Sequence, residues 1–434
     1  MSTPLAKRIA EEHAAIAERL PSSVTATARR RDAINAVVER GLPALRDENW
    51  KYSNLRVFER LRFTPAPAEK RIAPSELPPA IESYARFVFV DGVFDPALSG
   101  SAMPCDGVDV RSMASAKVVG LPAKRAATVD GSFALLNDAF ATDGVHISIA
   151  AGARSAGCCV EVLFIATADA AAGASYPRID LNVEPNAQLS LIERHWSVGT
   201  AASFVNCAVN VIIGKHSTVD HYRVQQVSSQ SVWVDTLSAT VATEATYRLH
   251  AVDLGAQSSR STVHIVLAGE RADLSFHAVS IGERNQVHDT YAIVDHAAPR
   301  ARTDETFRGI AGGRSRVAFN GKIVVREGAQ GTDSRQSLRG LLAGKEAEID
   351  VRPQLEIYTD DVKCSHGATA GKLDDAMLFY LLSRGIDRET AQKLLKWAFL
   401  EDVVSKIAVP ELRKQIEQSL AGQMQDIGGL EELL

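Results

Sequence analysis

One pair of residues in this chain has both the type and the spacing to do metal chemistry. Cys364 and His366 lie in K-C-S-H-G at 363–367, two positions apart. In extended backbone, residues i and i+2 face the same side, so a thiol and an imidazole can converge on one atom. Neutral imidazole is a good iron ligand and can also pass a proton or orient a neighbouring thiol. C-x-H spacing is weak evidence when taken alone, and the other candidates are weaker still. Cys158 and Cys159 are adjacent, so a disulfide between them would be strained. Beside Val160, Val162 and Phe164 they read as core thiols, as do the isolated Cys105 and Cys207. His264 and His277 sit within apolar alternation and read as satisfied core histidines.

Nucleotide hydrolysis is excluded on spacing. A P-loop needs four residues between its glycines and then Lys-Ser/Thr. Gly340–Lys345 and Gly367–Lys372 have three, followed by Glu346 and Leu373. Asp360 and Asp361 face opposite ways on a strand, and Asp374-Asp375 reads as a helix cap, so no acid pair supports hydrolysis.

These side chains must be positioned by the elements around them. Pro353–Thr359 alternates as a half-buried strand and runs into the Cys–His pair, and helical periodicity begins after Gly371. With 434 residues, 46% of them hydrophobic and 23% charged, the chain can bury a large core without staples. A net charge of −5 argues against nucleic acid or an anionic membrane as partner. No apolar run approaches a membrane span and no signal peptide precedes Ala6-Lys7-Arg8, so the expected compartment is a reducing cytoplasm.

Residues 1–85 read as a helical region with a Pro-rich linker. Leu5, Ile9, Ile16 and Leu20 mark a first helix, and Ile34, Val37 and Val38 a second, stopped by Gly41. Arg29-Arg30-Arg31 reads as a solvated helix start and Trp50 as an aromatic anchor. Prolines at 65, 67, 74, 78 and 79 mark the linker. From Ala85 the period becomes that of strands, with a tight turn at Asp91-Gly92 and a short helix at Ser132–Phe140.

Small residues followed by alternation recur at Ala187, Ser217, Ala245, Ala272, Ala301, Ala329 and Ala347, at intervals of 30, 28, 27, 29, 28 and 18. A near-constant period of this kind is the signature of a solenoid whose coils share one core. The expected fold is mainly β: a right-handed parallel β-helix over 86–362, with helical regions at 1–85 and 363–434. In the latter, Asp374 and Asp387 cap two helices, and Pro410 begins a last one running to about Gln425. The tail from Ile427 should fray.

The run P-Q-L-E-I-Y-T-D-D-V-K-C-S-H-G-A-T-A-G (Pro353–Gly371), continued by L-F-Y-L-L-S-R-G-I (Leu378–Ile386), resembles the SufD branch of the SufB/SufD family. That family serves the SUF iron–sulfur cluster assembly system. Asn49–Ser53 is similar to the family's W-K-Y segment. K-C-S-H-G-A-T is the SufD form of the motif, where SufB has H-E-A-T, and Thr332–Arg339 lacks the cysteine that SufB offers as sulfur acceptor.

The resemblance implies a β-helix core and a non-enzymatic assembly subunit. Such a subunit pairs with SufB through its coil edges and docks the ATPase SufC through its C-terminal helices. For that docking surface the expected residues are Leu378, Phe379, Leu394, Leu395, Trp397, Phe399 and Val403. It also implies that His366, with Cys364 beside it, contributes to a nascent-cluster or iron site shared with SufB. A cluster usually takes four ligands, mostly thiolates, and this chain has no C-x-x-C. The chain alone is therefore expected to bind no cofactor stably. Cluster or iron would be held transiently at the SufB interface, and reduced flavin is left open as a ligand of the complex. Free coil edges also allow two copies to pair as a homodimer. The rival readings are a purely structural solenoid adaptor and a carbohydrate-active or metal-dependent β-helix enzyme.

Overall fold

The computed structural model describes residues 3–44, 46–67, 72–100, 105–116, 129–154 and 158–424. Two long sheets face each other and are built almost entirely from parallel pairs. Successive strands alternate between the sheets, so each turn of chain adds one rung to both. One sheet begins at the antiparallel pair Val93–Phe94 and Ala85–Val90 and ends at Lys363–Gly371. The other begins at Val108–Ser112, antiparallel to Val145–Ile149, and ends at Glu348–Ile357. The solenoid expected from the repeat is therefore present. Its last rung, Lys363–Gly371, pairs in register with Asp333–Leu342, so the sheet runs past the boundary expected at 362 and helix begins only at Asp375.

The repeat has a local cause. Five consecutive strand starts in the first sheet follow a residue in the left-handed region and then a small buried one: Asn186-Ala187, His216-Ser217, Glu244-Ala245, Arg271-Ala272 and Arg300-Ala301. The left-handed residue turns the chain, and the small one lets the coils above and below approach. The five corners from 187 to 301 are equivalent, as the period predicts. The later members of the series are not. In register, Ala301 is followed by Thr332, after the left-handed Gly331, so Ala329 lies within a longer turn. Ala347 precedes Glu348–Ile357 and so belongs to the opposite corner, which explains the short interval of 18. Coil contact at a corner can be very close: a Cβ at Gly269 would fall 1.9 Å from the Thr243 backbone nitrogen.

The inward faces form one apolar core from Phe89 to Leu338, and each outer face is covered by helices. Pro4–Ala14, Thr27–Arg40 and Ser132–Phe140 pack over Phe204, Val232 and Val234 of the second sheet. Trp50 is buried there, its indole N–H donating to Asp130 at 2.7 Å, so the aromatic anchor is where the sequence puts it. The Arg29–Arg31 run is different from expectation. Arg30 is buried and donates to the carbonyls of Pro21, Thr25, Ala139 and Ala141, while Arg29 pairs with Asp138. The orphan carbonyls ending helix 132–140 need donors and favour a cation, which is why this arginine is internal.

At the other end of the chain, Arg388–Val404 and Pro410–Gln423 cover the first sheet, with Leu400, Val403, Val404, Ile407, Leu412 and Ile416 packed on it. Gln415 accepts from Arg194 at 2.8 Å, and Arg308 pairs with Asp402. The caps at Asp374 and Asp387 form as expected, and Gly385 ends the helix before it in the left-handed region. The fraying expected from Ile427 lies outside the described residues.

Candidate functional site

Cys364 and His366 lie on the terminal rung of the first sheet, beside Ser334 and Gln336 of the rung before it. Among the described residues no strand pairs with the far side of Lys363–Gly371 or of Glu348–Ile357. Both sheets therefore stop at the same end of the solenoid, each with a free row of backbone donors and acceptors. The two side chains differ in setting. Cys364 is half-buried against the core, and burial pushes its thiol up, a backbone hydrogen bond from Ser334 partly offsetting this. His366 is exposed, and a Cβ at Gly367 beside it would meet nothing within 4 Å. Imidazole is thus the more available ligand, since the thiol must first lose a proton that burial helps it keep.

The expected docking residues divide by place. Phe379 is exposed, and with Met377 and Tyr380 it forms an apolar patch on the helix Asp375–Ser383; these three are 71, 57 and 56% exposed. Ala376, Met377, Tyr380, Leu381 and Leu395 line a groove of ≈ 420 Å³ beside it. Leu394, Trp397 and Phe399 are half-buried. Leu378 and Val403 are buried within the chain and so present no docking surface, Val403 packing on the first sheet.

A second polar constellation is not legible in the sequence because it joins strands of both sheets and of adjacent coils. Glu193, His195 and Cys207 bring one ligand atom each within 4.8 Å of one another, deep between the sheets. Arg223 donates to both Glu193 oxygens at 2.9 and 2.8 Å and pairs with Asp235 at 2.7 Å. Burial opposes charge on Glu193, but Arg223, His195 and His221 together hold its carboxyl well below the ordinary range. Burial pushes the Cys207 thiol well up. A carboxylate already neutralised by a guanidinium beside a protonated thiol is a structural ion-pair network, not a cation site. His277 and the half-buried His264 face outward from the sheets and not into the core. His277 stands 5.3 Å from the His250 ring, and burial lowers its pKa to about 4.

These features define a two-sheet solenoid with an open end that carries a Cys–His pair, and an apolar helical patch. The family model described as SUF system FeS cluster assembly, SufBD core domain, matches residues 164–399. The chain belongs to the SufB/SufD family of iron–sulfur cluster assembly proteins. Within that family it is SufD-like. It is 30% identical over 390 residues to the iron-sulfur cluster assembly protein SufD of Escherichia coli K12, covering 88% of this chain and 89% of that one. It is also 30% identical over 399 residues to an iron-sulfur cluster assembly SufBD family protein of Synechocystis, covering 88% and 87%. Among the described residues no helix is long and apolar enough to cross a membrane.

Proposed function

We propose that this chain is a non-enzymatic, cytoplasmic half of an iron–sulfur assembly scaffold, pairing with a SufB-type paralogue through its open end and docking a SufC-type ATPase through its C-terminal helices. One observation carries the reading: the free edges of both sheets, Cys364 and His366 share one end of the solenoid. A partner continuing the sheets there would satisfy the exposed ladder and place its own side chains beside His366. The cluster or its iron is the cargo of that interface. His366 supplies a nitrogen ligand, Cys364 stands behind it, and the missing thiolates come from the partner. Reduced flavin would act in the complex and not on this chain. The patch of Met377, Phe379 and Tyr380 supports the ATPase assignment, because exposed apolar clusters of this kind mark interfaces.

The test is His366→Ala in cells that depend on this system for clusters, beside a pull-down of the mutant complex. We expect folding and both partner contacts to persist, since an exposed substitution costs under about 0.5 kcal/mol, while cluster formation is lost. Full complementation would leave a structural adaptor. Loss of the complex would mean that the histidine packs and does no chemistry.

A further inference from the structure

Cys105 and Cys158 are 53 residues apart in sequence, yet their Sγ atoms stand 2.7 Å from each other. That is shorter than a contact between non-bonded sulfurs, and a small side-chain movement away from a bond of about 2.05 Å. Backbone contacts hold the approach on both sides. Val108 N–H donates to the Cys105 carbonyl at 3.1 Å, and Ala150 N–H to the Gly107 carbonyl at 2.7 Å. On the other side Ser190 N–H donates to the Cys158 carbonyl at 2.9 Å. Gly107 is in the left-handed region, and a Cβ there would meet the Ala153 methyl at 3.0 Å, so the turn carrying Cys105 is pressed against the next coil.

We propose that Cys105 and Cys158 are a thiol-modification site that closes into a reversible disulfide. The bond would join the turn entering Val108–Ser112, which seals one sheet, to the start of Cys159–Ala166 in the other. The oxidant class is a small-molecule disulfide. Cys105 is half-buried and Cys158 is 3% exposed, so Cys105 is the sulfur such a reagent reaches first. Its thiolate attacks the reagent's disulfide, forming a mixed disulfide and expelling one small thiolate. Cys158, as thiolate, then attacks the Cys105 sulfur and expels the second. The two protein protons end on the two released thiols, and the reagent takes up the two electrons. Cys159, the next residue, packs with the helix-covered outer cluster instead, near Tyr84.

The experiment uses the folded full-length chain in mixtures of oxidised and reduced glutathione, followed by alkylation and non-reducing peptide mapping. The result expected is one cross-linked peptide pair, Cys105 to Cys158, lighter by two hydrogens, while Cys207 and Cys364 still alkylate. Cys158→Ser should trap glutathione on Cys105, and Cys105→Ser should abolish the cross-link. A bridge to Cys159, or five alkylated thiols in natively folded chain under excess oxidised glutathione, overturns the proposal. The wild-type map decides the matter even if a serine variant does not fold.

Discussion

The two ends of the solenoid solve the same problem in opposite ways. At the first end each sheet stops on a short antiparallel strand, Val93–Phe94 or Val108–Ser112, and the linker closes over the side: the Ala66 and Ala174 amides donate to the Ala174 and Thr64 carbonyls at 2.9 and 2.8 Å. At the last end, strands of ten and nine residues stop in full extension, and among the described residues no strand pairs beyond them. An edge strand is a hazard that proteins usually cover or blunt. Covering one end and leaving the other bare supports the proposal that the bare end is the pairing surface. Between them lies a closed interior in which Glu193 and Asp235 are paired with Arg223 of the same chain.

The largest effect should come from breaking that interior. Arg223→Leu leaves Glu193 and Asp235 buried without their guanidinium, a loss of about 3–5 kcal/mol. Denaturant unfolding should show it as a lower midpoint or as chain that does not fold, whereas His366→Ala should leave the midpoint in place.

Glu305 measures how far closure extends toward the open end, since Gln336 and then His366 follow it in register. Burial raises its carboxyl to about 7, against a hydrogen bond from Gln336 that lowers it. The unfolded carboxyl ionises near its ordinary value of 4.5, so the neutral native form contributes stability below that pH. This contribution falls away as pH rises toward 7. Glu305→Gln should therefore raise stability at pH 8 by up to about 3 kcal/mol and flatten this part of the pH profile. Unfolding midpoints at pH 6 and pH 8 check it; an equal change at both would place water at Glu305. Buried His250, His277 and His296, lowered to about 3, 4 and 4 chiefly by burial, act oppositely. They stabilise above their unfolded value of 6.5, and that stability is lost as pH falls toward 4.

The smallest effects compare the ends directly. A Cβ at Gly173 would fall 2.6 Å from the Thr64 carbonyl oxygen, within the cover of the capped end. Gly173→Ala should cost about 1–3 kcal/mol. Gly367→Ala meets nothing in this chain and should change stability by under about 0.5 kcal/mol, yet weaken pairing with a partner strand. Thermal melts of the chain beside titration with its partner separate the two. Equal melting losses would contradict an open end.

What was legible in the sequence follows from range. The corner residues were visible because each coil needs a small residue at the same place, so local sterics leave a periodic mark. Ala329 and Ala347 misled because small residues serve both corners and a longer turn. The Cys–His pair was legible because strand alternation is local. Arg30 was not, because the Ala139 and Ala141 carbonyls that draw it inward lie over a hundred residues away. The Glu193–Arg223 network and the Cys105–Cys158 approach were hidden for the same reason: neighbours across coils are set by register, which single positions do not announce.

The alternation of strands between the sheets also bears on synthesis. Each coil is stacked on the one made before it, so a growing chain carries a bare edge that moves outward as residues leave the ribosome. The capped end is finished first. The Thr27–Arg40 helix, however, emerges long before the Ala139 and Ala141 carbonyls and the Phe204 rung it packs against. At roughly 5–20 residues per second, that helix waits on the order of ten seconds for its seat. Among the described residues only the last-made edge receives no successor, so the surface proposed for pairing is laid down after every other coil.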